Sequence, residues 1–165
     1  MNILYVTYGL PVPPDSGARI RDFNLIRRVA KHHSVWVLSL LEFEDELEHA
    51  PELLEFCQAV DGVVASRSTA GALAVAVGGL TRRRPVATAT YYYPELADKI
   101  TRLTRQVAFD VVQIEHSLLA PYRRSLDPGF KGSTVLSMHN IGVQQYKTML
   151  DMSAGLKRIP ARLKW

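Results

Sequence analysis

The sequence predicts an α/β domain, an open parallel sheet with helices on both faces. Three features predict it. Five short apolar runs rich in branched and aromatic residues read as buried strands. Segments with the helical period of about 3.6 lie between them. Pro and Gly punctuate the joins. Strands that alternate with helices require parallel pairing through right-handed crossovers.

Residues 2–8 form the first run, almost at the start of the chain. A loop follows with Pro11, Pro13 and Pro14, which exclude regular structure, and Gly17. Over residues 18–32, Ile20, Phe23, Ile26 and Ala30 share one helical face, with Leu25 and Val29 beside them. Arg21, Asn24, Arg28 and Lys31 fall on the other. Asp15 and Ser16 are candidate caps. Residues 34–41 are the second strand, around Val35-Trp36-Val37-Leu38. The acidic segment 44–60 reads as helical, 62–66 as the third strand and the Ala-rich 69–81 as a helix. Pro85 breaks the chain. Leu96, Ile100, Leu103 and Val107 mark an amphipathic helix over 94–109. Residues 110–115 and 133–138 are the fourth and fifth strands, and a last helical pattern starts at Val143. The expected sheet is Rossmann-like, in the order 3-2-1-4-5. Ligands of such sheets lie beyond the carboxyl ends of the strands, near the switch point, so the loops after strands one, four and five are the ones to inspect.

Composition narrows the function classes. The 165 residues suit one domain, residues 1–165, with ordinary globular composition. A net charge of +4 permits an anionic partner without demanding one. Aromatics are not interleaved with basic residues, which argues against nucleic acid. Cys57 is the only cysteine, so no disulfide forms within the chain and a reducing compartment fits. The start lacks a basic n-region and a cleavage site, and the longest weakly polar stretch, 71–80, is far short of the ~20 residues of a membrane span. No His, Cys and carboxylate set has metal-ligand spacing, so no metal is expected.

After the first strand there is no G-x-G-x-x-G turn, which makes a nicotinamide enzyme a minor alternative despite an acidic residue at Glu42. Gly17 either turns the chain or lets a ligand approach the N–H groups of a helix start. Arg19 is either solvated or adds charge to that mouth. At the fourth strand, Gln113 and Glu115 share one side by their period-two spacing. Glu115 and His116 at its exit can bind sugar hydroxyls or exchange protons. The competing reading is a polar strand end. His139 and Asn140 follow the fifth strand, with Gly142 to free the turn. Tyr91, Tyr92 and Tyr93 offer faces for stacking on a sugar or for packing under the next helix. Arg82-Arg83-Arg84 suits a helix C-terminus, or contact with anionic lipid. Lys157, Arg158, Arg162 and Lys164 make the end basic, either a solvated helix or a membrane-facing one.

Three segments together resemble the N-terminal half of family 4-like glycosyltransferases of the GT-B fold. They are the opening 2–41, "FDVVQIEHSLLAPY" at 109–122 and "STVLSMHNIGVQQY" at 133–146. Arg21, Leu25, Val29, His32 or His33, and Val35 match the family's first-helix pattern. The likeness is greatest to a bacterial branch tied to exopolysaccharide clusters. It implies a retaining, metal-independent transfer of a sugar from a nucleotide-sugar donor to a saccharide or lipid-linked acceptor, without a cofactor. It implies a polar side chain at the fourth-strand exit against the donor sugar. Many relatives carry His there; this chain has Glu115, with His116 next to it. Glu115 and His116 are then the expected catalytic residues, and Gly17, Arg19, Tyr92, His139 and Asn140 the substrate-binding ones. The donor-binding C-terminal domain is expected to be absent from the chain, which ends on Trp165 with no capping signal. The fragment alone is expected to be inactive, and the enzyme cytoplasmic or peripheral at the inner membrane face. The alternative function is a stand-alone sugar- or nucleotide-binding module.

Overall fold

The computed structural model describes residues 1–65 and 90–138. The expected helices at 69–81 and after Val143 lie outside them. Five strands form one all-parallel Rossmann-like sheet, β1 (Asn2–Tyr8), β2 (Ser34–Leu41), β3 (Ala59–Val64), β4 (Val111–Glu115) and β5 (Ser133–Ser137), in the order β3-β2-β1-β4-β5. Helix α1 spans Gly17–Val29, α2 Ala50–Leu54 and α3 Pro94–Gln106. Tight 3-10 turns cover Glu44–His49 and Ser117–Ser125.

The two-residue period of the strands sorts the core into two layers. Ile3, Tyr5, Val35, Val37 and Leu41 pack under Ile26 of α1 and Leu53 of α2. Leu4, Val6, Leu38, Leu40, Val112 and Ile114 pack under Leu96 and Ile100 of α3 and under Tyr122. Both faces are therefore covered, which is why these strands read as unbroken apolar runs.

Two expected elements differ from the structure. The third strand starts at Ala59, where Ala59 and Val60 pair with Trp36 and Val37, instead of at residue 62. Asp61-Gly62 has the look of a turn, yet both residues serve the strand. Asp61 takes an ion pair from Lys99 at 2.7 Å. Gly62 lets Leu41 approach so closely that a Cβ there would lie 2.5 Å from Leu41 Cδ1. The acidic segment 44–60 is not one helix either. It splits into the 3-10 turn and the short α2, with Pro51 in the first turn of α2. The carboxylate of Glu46 is turned back to take the N–H of Glu42 at 2.7 Å and of Phe43 at 3.1 Å.

The start of α1 also departs from simple amphipathicity. Ser16 caps it by accepting from Arg19 N at 3.4 Å. Ile26 is buried, but Ile20 is 46 % exposed while Asp22 is 6 % exposed. The first turn overhangs the carboxyl edge of the sheet, where polar groups rather than the core lie beneath it.

Candidate functional site

The switch point lies between β1 and β4, where the chain changes its direction of progress through the sheet. Glu115 ends β4 there and is buried. Gln113 sits two residues earlier on the same side and its amide donates to Glu115 Oε1. The other carboxylate oxygen belongs to α1. Arg21 Nη1 donates to Glu115 Oε2 at 2.9 Å and to Asp22 Oδ1 at 3.0 Å. Arg21 Nη2 donates to Ser137 Oγ, at the end of β5, at 2.8 Å. One guanidinium thus joins α1, β4 and β5. The hydrogen bond to Glu115 is the main reason that Arg21 holds its proton more tightly than usual. Burial, and then the charges of Glu115 and Asp22, push the Tyr5 phenol up to about 12, so it stays neutral.

His116 follows with φ 93°, a left-handed backbone that non-glycine residues rarely adopt. Its N–H donates to Ser137 O at 2.8 Å, and its Nδ1 accepts from Leu118 N at 3.2 Å. An amide N–H can only donate, so the neutral ring carries its proton on Nε2. Strain of this kind costs about 1–3 kcal/mol and gathers at functional sites.

Gly17 and Arg19 lie on the same carboxyl edge but in a second cluster. A Cβ on Gly17 would meet nothing within 4 Å, so open space surrounds the helix start. Arg19 turns away from that opening. Its Nη2 donates to Glu46 Oε2 at 2.9 Å and its Nη1 reaches Asp15 at 3.3 Å. Glu46 also takes Leu10 N at 3.0 Å, so Arg19 braces the loop after β1. Tyr92 belongs to a third group, stacked on Tyr122 with ring centroids 5.2 Å apart. Tyr122 accepts from Tyr93 N at 2.7 Å and donates to Tyr91 O at 2.9 Å. Tyr91 stands edge-on to Tyr8, the last residue of β1, so the tyrosine run reaches the carboxyl edge through Tyr91. His139 and Asn140 lie outside the described residues.

The structure therefore joins Glu115 and His116 to Arg21, Asp22, Gln113 and Ser137. Of these, helical periodicity predicts an outward Arg21, and no spacing in the sequence marks Asp22 or Ser137. The available signal was the pair Arg21-Asp22 in a first helical turn beside a strand with polar alternation. A groove lined by Phe23, Arg27, Ala30, Glu52 and Phe56 lies farther along α1, towards its C-terminal end, and holds none of these groups. Among the described residues no three His, Cys, Asp or Glu side chains gather to hold a metal ion, and no helix is long and apolar enough to cross a membrane. No protein-family model and no curated protein matches the sequence.

Proposed function

We propose that this chain is the acceptor-side domain of a retaining glycosyltransferase that moves a sugar from a nucleotide-sugar to a saccharide or lipid-linked acceptor in cell-surface glycan synthesis. One observation carries the reading. Glu115 and His116 stand together at the switch point of a parallel sheet whose first loop lacks the dinucleotide turn. Buried carboxylate oxygens accept hydroxyl donors, and the neighbouring imidazole can exchange a proton. In this reading a second domain grips the nucleotide and neutralises the leaving diphosphate, and the present chain supplies the opposing wall of the cleft. Contact with a membrane through basic segments, at the inner face, belongs to the same proposal.

The test is product analysis. The complete gene product, given a panel of nucleotide sugars and glycan or lipid-linked acceptors, should form a glycoside with the donor's anomeric configuration retained. Residues 1–165 alone should not. Saccharide binding without transfer by the complete product would favour a binding module instead, and transfer by residues 1–165 alone would overturn the two-domain division of labour.

A further inference from the structure

We propose that Arg21 is a positioning residue, which acts through Glu115 by holding its carboxylate charged and fixed in orientation as a hydrogen-bond acceptor at the switch point. Arg21 comes from another element, 94 positions earlier in the chain, and its reach is spent on this corner. Its Nη1 serves Glu115 and Asp22, and its Nη2 serves Ser137. Glu115 is 1 % exposed while the Arg21 side chain is 47 % exposed, so the guanidinium stands between this carboxylate and solvent. A carboxylate so deeply buried loses its charge when its cation is removed. Gln113 takes one oxygen and Arg21 the other, which leaves the group no rotational freedom.

The arrangement divides the labour of the corner. Glu115 and His116 are adjacent, but His116 Nδ1 is taken by Leu118 N and not by the carboxylate. Any proton exchange at this corner therefore falls to His116. This last step rests on the glycosyltransferase reading; the role of Arg21 does not.

The experiment follows the Glu115 carboxyl carbon by NMR as the 165-residue chain is titrated. Among the described residues, the groups around it are Tyr5 of β1, Arg21 and Asp22 of α1, Gln113 of β4 and Ser137 of β5, with His116 next in the chain. Arg21→Met should move the Glu115 titration up by about 1–3 pH units relative to the natural chain. Arg21→Lys, which keeps the charge and protects the fold, should move it less. Ser137→Ala, which removes a different Arg21 contact, should leave it near its natural position. An unmoved titration in a folded Arg21→Met chain overturns the proposal, as does an upward shift of about 1 pH unit or more in Ser137→Ala, or one in Arg21→Lys as large as that expected for Arg21→Met. These outcomes are independent of transfer: a complete gene product that moves no sugar sinks the glycosyltransferase reading and leaves the titration result standing.

Discussion

Arg19 and Arg21 leave the first turn of α1 on opposite sides, and each ends on a buried carboxylate. Residues two apart on a helix point about 200° apart. Arg19 reaches Glu46 beside the exit of β2, and Arg21 reaches Glu115 at the exit of β4. The helix start is thereby fixed to both flanks of the switch point. The two pairs have different work. Glu46 secures the loops on one side, and Glu115 stands among the polar groups on the other.

Glu46→Ala should be among the more damaging single changes on this edge. It strands the N–H groups of Leu10, Glu42 and Phe43 and leaves Arg19 with Asp15 alone. The expected loss is about 2–4 kcal/mol, read from the urea midpoint. Arg19→Ala should cost only about 1 kcal/mol, because Arg19 is partly solvated and three amides still satisfy Glu46. Equal losses from the two variants would show that the ion pair, not the amide anchoring, organises these loops.

Gly17 and Gly62 should respond in opposite ways to a methyl group. At Gly17 the space is open and the backbone is ordinary helix, so Gly17→Ala should be neutral or stabilising by about 0.4–1 kcal/mol. At Gly62 a methyl would lie 2.5 Å from Leu41 Cδ1 and 2.7 Å from Leu41 Cγ. Leu41 is fully buried and cannot swing clear, so Gly62→Ala should cost about 1–3 kcal/mol. Thermal unfolding of both variants decides it.

That contrast shows what was legible in the sequence and what was not. β1 and β2 were plain, because strands buried on both faces leave an unbroken apolar run over residues 2–8 and 34–41. The alternation led to the Rossmann-like expectation, and the order of the sheet came with it. The start of β3 was hidden, because Asp61-Gly62 has turn chemistry while its true constraint, Leu41, comes from the neighbouring strand. At the site, Glu115 was legible from the period-two spacing with Gln113. Arg21 was assigned to the outer face of its helix by periodicity, which assumes a core beneath every turn. The first turn of α1 has a sheet edge beneath it instead, and only the folded chain brings Ser137 there.

Stability should fall at alkaline pH, and Tyr5 should carry part of the fall. Its folded pKa of about 12 lies above the unfolded value of about 10. The sign follows from proton binding: from about pH 10 upward the unfolded chain loses the phenolic proton first, so unfolding is favoured as pH rises. The contribution is complete below about pH 10 and is lost through about pH 12, on the order of 1–3 kcal/mol. Burial pushes the Tyr122 phenol up as well, so it adds to the same slope. Tyr5→Phe should therefore flatten the dependence of the urea midpoint on pH without abolishing it. An unchanged slope would place the phenol's partners elsewhere.

His116 should separate stability from function. Its φ of 93° is a conformation that glycine adopts freely and histidine does not. His116→Gly should therefore relieve strain, although it also removes the ring that caps Leu118 N. Relief of about 1–3 kcal/mol outweighs one hydrogen bond of about 1 kcal/mol, and the variant should be as stable as the natural chain or more so. His116→Ala keeps the strain and loses the bond, so it should be less stable than both. If the ring exchanges protons in sugar transfer, the complete gene product should lose activity equally in the two variants, while their unfolding midpoints move in opposite directions. A single measurement of each quantity then distinguishes a strained catalytic residue from a structural one, because a structural role would make activity follow stability.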